Sequence, residues 1–151
     1  MKDRISIVIF ITLSVVCMTA MYHLEGVQHS ISRYSLYPST SWIFKCWMLL
    51  LAYGASQNKL MYYALFPAIA MAAFDSQTLD PVTNAIHDVS AIIFFVYVTI
   101  SYIKFKPTQV TGVALALSFL AWPFVGFFNG EMLTIFILHV HFMYKIFKIR
   151  K

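Results

Sequence analysis

The sequence predicts an all-α integral membrane protein, a single domain over residues 1–151 that forms a bundle of six transmembrane helices with the N- and C-termini both cytoplasmic. Composition is the first observation behind this fold class. The chain is 60% hydrophobic and only 11% charged, and its mean hydropathy is +0.74, values that exclude an ordinary soluble domain. The formal net charge of +5 does not indicate nucleic-acid binding, because the cations flank the apolar segments, where they set topology and meet lipid headgroups.

Apolar segments separated by short polar gaps are the second observation. A helix needs ~20 residues to cross ~30 Å of hydrocarbon, and the second and third segments are shorter than the others and joined by a tight turn over residues 54–59. The predicted spans are Ile5–His23, Trp42–Ser56, Leu60–Phe74, Ala85–Ile103, Val110–Phe128 and Met132–Ile149, with a turn at Asn129-Gly130 before the last. Pro67 and Pro123 predict kinks or breaks in the third and fifth helices.

Charge sidedness is the third observation. With the N-terminus inside, nine of the eleven Lys and Arg residues fall on the inner side, and five of the six acidic residues fall on the outer side. The outer acids are Glu25, Asp75, Asp80, Asp88 and Glu131. This distribution agrees with the positive-inside rule. Because the longest loop, residues 24–41, also lies outside, the outer face is where we expect a functional site.

The densest polar group is predicted at the outer mouth of the bundle. It comprises His29, Asn84, His87, Asp88 and Glu131. Ionisable groups at membrane depth usually face a bundle interior or a wet cavity, although the dipole of a helix N-terminus also explains a carboxylate in the first turn. The longest loop, residues 24–41, which we call loop one, should fold over the mouth. Its candidate residues are Ser32, Arg33, Tyr34 and Pro38.

Two histidines lie deeper in the last span and are candidate core polar residues. His139 and His141 are ~12–15 Å further in than Glu131 at 1.5 Å of rise per residue. A spacing of two places them about 200° apart on the helix, so they cannot both face one site. Tyrosines near the span ends, including Tyr34 and Tyr102, predict an interfacial belt.

Catalytic and cofactor motifs are scarce. The ligand types of His87, Asp88 and Asp75 suit zinc, but their spacing forms no recognised motif, so zinc is an alternative and no other cofactor is implied. Serine-nucleophile and phosphate-loop signatures are absent, which leaves open whether the protein is an enzyme.

Small residues in the fifth span (residues 110–128) allow close helix contact, either within the chain or in a homo-oligomer or larger membrane complex. They are Gly112, Ala114, Ala116 and Ser118.

Two stretches resemble the six-span Frag/DRAM/Sfk family, which contains autophagy modulators and GPI-lipid remodelling relatives. The run VQHSISRYSLYPSTSWIF (residues 27–44) resembles the first outer loop of that family, and HDVSAIIFF (residues 87–95) resembles its fourth-helix pattern of a histidine, a small residue and paired phenylalanines. Glu131 matches a family acid that opens the last helix. Arg33 and Tyr34 depart from the pattern, since the family has an Asp and a turn residue there. The resemblance implies a lipid-linked or scaffolding role.

The leading hypothesis is therefore a lipid-associated scaffold or lipid-handling protein with a polar site at the outer mouth. A membrane-embedded, metal-dependent lipid hydrolase or lipid-modifying enzyme is the alternative. An oligomeric channel or accessory subunit of a membrane complex is a second alternative. Membrane lipids are the expected partners in each case, and no nucleic acid is expected.

Overall fold

The computed structural model describes residues 4–56, 62–75 and 80–148, and this part of the chain is helical throughout apart from its connections. The helices are α1 (Arg4–Glu25), α2 (Ser41–Ser56), α3 (Leu65–Ala73), α4 (Pro81–Lys104), α5 (Gln109–Val125) and α6 (Phe127–Lys148). Short 3-10 turns cover Ile31–Leu36, Tyr62–Ala64 and Lys106–Thr108. The predicted all-α class is confirmed for these ranges. The end of the predicted turn at Lys59, the start of the third span at Leu60 and the end of the sixth at Ile149 lie outside them.

Within the described ranges, three helical segments are long and apolar enough to cross a membrane. They are Ile5–Glu25, Pro81–Lys104 and Lys106–Val125, with mean hydropathies of 2.3, 1.7 and 1.5. The helices α2 and α3 are shorter, at 16 and 9 residues, and α6 has 22. Length and apolar character therefore suit a bilayer most clearly for α1, α4 and α5.

The six helices pack in chain order and close into a ring. Each helix contacts the next one along the chain, and α6 returns to contact α1. The ends of α1, α3 and α5 meet the starts of α2, α4 and α6 at one end of this ring, which we call the loop end. A ring of six helices leaves a space along its axis, and that space holds the candidate site.

Buried polar side chains bond between helices, and large apolar side chains are exposed on the outer surface of the ring. The indole N–H of Trp47 in α2 donates to the Ser14 hydroxyl of α1 at 2.8 Å, and both side chains are buried. On the outer surface Val110 and Phe124 are 86% and 87% exposed. Bonds between buried polar groups of neighbouring helices, together with an apolar outer surface, are the arrangement that a lipid environment favours.

The small residues of α5 make close contacts within the chain. A Cβ at Gly112 would lie 2.5 Å from the backbone nitrogen of Ile103 in α4. The Ser118 hydroxyl lies 2.9 Å from that of Thr134 in α6. Glycine and serine thus let α5 approach both of its neighbours, and an intermolecular role for this helix stays a prediction.

The connection between α5 and α6 differs from the prediction. The turn lies at Gly126, which has φ = 84° and whose N–H donates to the Trp122 carbonyl at 3.0 Å, and not at Asn129-Gly130. A positive φ favours glycine and ends helices. Gly130 instead lies inside α6, where a Cβ would overlap the Trp122 ring.

Pro67 lies nearer the helix start than predicted, whereas Pro123 lies late in its helix, as predicted. Pro67 is the third residue of α3, Leu65–Ala73, where the missing N–H is one of the donors that has no intrahelical partner in any case. Pro67 is therefore in the first turn of α3 and not in its middle. Pro123 lies inside α5, which ends two residues later at Val125.

The start of α4 is fixed by a cap that the predicted boundary at Ala85 omitted. The Asp80 carboxylate accepts from the N–H groups of Val82 and Thr83 at 3.2 and 3.1 Å, and Pro81 occupies the first helical position. The hydrogen bond from the Thr83 hydroxyl, followed by these backbone bonds, holds the pKa of Asp80 below its usual value of 3.8.

Two tyrosines predicted for the interfacial belt are buried. Tyr34 and Tyr102 have no exposed surface. The ring of Tyr34, in loop one, packs against Phe128 of α6, and the ring of Tyr102, in α4, packs against His141 of α6 with the ring centroids 4.8 Å apart. The belt prediction is wrong for these positions.

Candidate functional site

A cavity of about 410 Å³ lies inside the helix ring. All six helices contribute to its wall. One wall residue from each helix, in chain order, is Phe10, Trp47, Met71, Phe94, Trp122 and Leu138. The wall is mainly apolar and aromatic. A volume of this size falls within the ~300–1,000 Å³ typical of small-molecule sites, which combine an apolar wall with a few polar groups.

Polar groups gather at the loop end of this cavity. Four of the five residues predicted for the outer polar cluster line it: His29, His87, Asp88 and Glu131. Asn84 does not line it. Its backbone N–H donates to the Asp80 carbonyl at 3.2 Å as part of the start of α4. The structure therefore brings together residues from loop one, α4 and α6 that are far apart in the sequence.

Glu131 joins loop one to α6. Its carboxyl accepts a hydrogen bond of 2.5 Å from the backbone N–H of Ile31. A second bond runs in the same place from the N–H of Phe128 to the His29 carbonyl, at 3.1 Å. Because these bonds connect the first and last parts of the chain, loop one lies across the loop end of the cavity, as the sequence predicts.

Tyr34 stabilises loop one through hydrogen bonds to other residues of the loop. Its hydroxyl donates to the Gly26 carbonyl at 2.5 Å, and its backbone carbonyl accepts from the Thr40 hydroxyl at 2.8 Å. Its ring meets that of Phe128 edge to face at 6.4 Å. Burial, with smaller effects from Tyr22 and Glu25, raises the pKa of Tyr34 to about 12. The hydroxyl therefore remains a donor at all physiological pH values.

The other candidate residues of loop one differ in their placement. Ser32 lines the cavity, and its hydroxyl lies 3.0 Å from that of Ser30. Arg33 is half-buried and Pro38 is exposed, and neither contributes to the cavity wall. Ser32 is thus the only one of the four predicted loop residues that both bonds within the loop and faces the cavity.

His87 is held in one tautomer. It is 2% exposed, and its Nδ1 lies 2.7 Å from the carbonyl oxygen of Phe74 at the end of α3. A carbonyl only accepts, so Nδ1 carries the proton, and in the neutral imidazole Nε2 is then an acceptor. Its ring tilts against that of Phe44 at 6.4 Å. The bond between α3 and α4 thus fixes how this side chain is presented to the cavity.

His139 has the same arrangement further from the loop end. Its Nδ1 donates to the Ile135 carbonyl at 2.7 Å, and its ring stacks on Phe10 of α1 at 6.4 Å. Its Nε2 is buried and has no hydrogen-bond partner among the residues that the structure describes. At 1.5 Å per residue, this acceptor lies about 12 Å along α6 from Glu131.

His141 faces away from the cavity. Its Nδ1 lies 2.8 Å from the Thr111 hydroxyl of α5, and it is buried between that helix and Tyr102. The two histidines thus diverge, which is the consequence of a spacing of two on a helix.

The acids and histidines do not assemble a metal-binding group in the described ranges. Across residues 4–56, 62–75 and 80–148, no three His, Cys, Asp or Glu side chains come close enough together to hold a metal ion. Asp75, one of the three candidate ligands, lies 3.4 Å from the ammonium of Lys45 in α2. This ion pair connects the end of α3 to α2.

Sequence reasoning missed the aromatic wall. Phe95 contacts the rings of Phe119 and Trp122 at 5.2 and 5.6 Å, and all three line the cavity. In an apolar helix such residues are indistinguishable from lipid-facing ones until the neighbouring helices are placed. The paired phenylalanines of HDVSAIIFF were a signal for this wall.

Comparisons with protein-family models, with curated proteins and with solved structures give no match to this chain.

Proposed function

We propose that this protein is an integral membrane protein that binds one amphipathic, lipid-type molecule in the cavity of its helix ring, with the polar head at the loop end. The observation that carries the proposal is the gradient along this cavity. Carboxyl and imidazole groups gather at the loop end, while the rest of the wall is largely aromatic and aliphatic. A lipid-type molecule has the same division between head and chain.

The membrane assignment rests on the surface. Apolar side chains cover the outside of the ring, and α1, α4 and α5 have the length and hydropathy of membrane spans. We propose that all six helices cross the bilayer, which would be thinned locally around the short helices α2 and α3. We also propose that both termini are cytoplasmic, because Lys104 and Lys106 lie opposite the acids of the loop end, in agreement with the positive-inside rule.

We propose that the occupant of this cavity, of about 410 Å³, is a single-chain lipid or one chain of a larger one. The resemblance to the Frag/DRAM/Sfk family stays a prediction, and its lipid-linked members agree with this proposal.

The test compares two substitutions on one helix. Ala91 lines the cavity, whereas Val89, two residues earlier in α4, is 53% exposed on the outer surface. Ala91→Trp should fill the cavity, and Val89→Trp adds the same indole to the outside. Each variant is purified in mild detergent, and the lipid that remains with it is measured by native mass spectrometry.

We expect about one retained lipid per chain in the wild type and in Val89→Trp, and a loss of it in Ala91→Trp. Both variants should keep the helical circular dichroism of the wild type. Equal retention in the two folded variants would mean that the lipid binds elsewhere, and the proposed function would be wrong.

A further inference from the structure

The hydrogen-bonding inventory of the cavity says more about the occupant. Three side-chain donors of its wall are already used within the protein. The indole N–H of Trp47 donates to Ser14, and the Nδ1–H groups of His87 and His139 donate to backbone carbonyls. One of the Ser30 and Ser32 hydroxyls donates to the other.

Acceptors dominate what is left. The carboxyl groups of Asp88 and Glu131 line the loop end of the cavity, and the Nε2 atoms of His87 and His139 are acceptors in the neutral rings. At His139 this atom is buried without a partner in the described part of the chain. The acceptors at the loop end therefore favour a head that donates hydrogen bonds.

Cations are missing from the described wall. Within the described ranges, no lysine or arginine lines the cavity. Lys45 is paired with Asp75, and Arg33, although half-buried, lies outside the wall. A phosphate or carboxylate head placed beside Asp88 and Glu131 would meet like charge with no arginine or lysine to compensate it, which disfavours an anionic lipid.

On the basis of the proposed function, we propose that the cavity selects a single-chain lipid whose head donates hydrogen bonds, through hydroxyl or ammonium groups, and carries no phosphate or carboxylate. Asp88, Glu131 and His87 accept from this head at the loop end. The chain runs along the wall formed by Phe95 and Trp122 toward His139. Glu131 distinguishes the two kinds of head, because its ionised form attracts an ammonium group more strongly than a hydroxyl.

Tryptophan fluorescence provides a local readout. The chain has three tryptophans, of which Trp47 and Trp122 line the cavity while Trp42 is exposed. In Trp42→Phe the remaining tryptophan fluorescence comes from Trp47 and Trp122 at the cavity. Three probes with the same dibrominated chain are added to the full chain in mild detergent: a monoacylglycerol, an alkylamine and a lysophosphatidic acid. Quenching is compared at equal mole fraction in the micelle.

The monoacylglycerol and the alkylamine should reach half-maximal quenching at about a tenfold lower mole fraction than the lysophosphatidic acid, a ratio equivalent to ~1.4 kcal/mol. Glu131→Gln keeps an oxygen for the Ile31 N–H and removes the charge. This variant should weaken binding of the alkylamine several-fold and change binding of the monoacylglycerol by less than about twofold.

The outcomes separate the two proposals. Equal or stronger quenching by the lysophosphatidic acid would overturn the proposed head selectivity while leaving lipid binding intact. An unchanged preference in Glu131→Gln would overturn the role assigned to that residue. If no probe quenches Trp47 and Trp122 more than free bromide does, the cavity takes no chain and the proposed function itself is wrong.

Discussion

The carboxyl group of Glu131 in α6 accepts a 2.5 Å hydrogen bond from the backbone N–H of Ile31, one hundred residues earlier in the chain. Ile31 is 3% exposed and belongs to the turn that lies across the loop end of the cavity. The same carboxyl group lines that cavity. Glu131 therefore contributes both to the closure of loop one and to the polarity of the site.

Removal of this acceptor should destabilise the protein. In Glu131→Leu the N–H of Ile31 loses its partner, and an unsatisfied donor of this kind costs ~1–3 kcal/mol. Glu131→Gln retains an acceptor oxygen and should lose less than half as much. The free energy of unfolding is measured by titration with SDS in mixed micelles. Equal stability of the leucine and glutamine variants would contradict the importance of this bond.

Tyr34 should make the stability of the protein sensitive to alkaline pH. Its pKa is raised to about 12, above the ~10 of an unperturbed tyrosine. A group whose pKa is raised on folding stabilises fully below its unfolded pKa, and the stabilisation is lost as pH rises from about 10 toward 12. Tyr34→Phe should reduce this alkaline loss and cost about 1 kcal/mol at neutral pH, since the bond to the Gly26 carbonyl disappears.

The control for Tyr34 is Tyr144→Phe, because Tyr144 is exposed. It should leave the stability at neutral pH within ~0.5 kcal/mol of the wild type. Thermal unfolding followed by circular dichroism between pH 7 and pH 11 checks both variants. A Tyr34→Phe protein with the alkaline profile of the wild type would show that another group causes the loss.

Gly112 should not tolerate even one added methyl group. In Gly112→Ala the new Cβ would lie 2.5 Å from the Ile103 nitrogen and 2.8 Å from the carbonyl carbon of Tyr102. Because backbone atoms cannot rotate away, α4 and α5 must separate, at a cost of ~1–3 kcal/mol. Val113→Ala, on the exposed face of the same helix, serves as the matched control.

The measurement for Gly112 is again SDS unfolding, together with the oligomeric state in mild detergent. We expect a destabilised Gly112→Ala monomer beside a nearly unchanged Val113→Ala protein. If Gly112→Ala kept its stability but changed its oligomeric state, this glycine would serve an intermolecular contact, and the packing of α4 on α5 would not require it.

Helix positions were largely predictable because the signal for them is local. A run such as Ala85–Ile103 is apolar and free of helix breakers, and its backbone groups bond within the segment itself. The boundaries were less accurate where capping decided them. The carboxylate of Asp80 extends α4 to Pro81, and the positive φ of Gly126 places the last turn three residues before Asn129. Capping and a positive φ act over a few residues, and they can place a helix end away from the end of the apolar segment.

The sequence by itself determined the helical class, the apolar segments and the concentration of acids at one end of them, because these follow from residues near one another in the chain. It also indicated His29, His87, Asp88 and Glu131 as a polar group. Only the tertiary structure decided that α6 closes the ring on α1, that a cavity remains inside, and that His139 faces this cavity while His141 does not. Those outcomes depend on contacts such as Ile31 with Glu131, which no local pattern specifies.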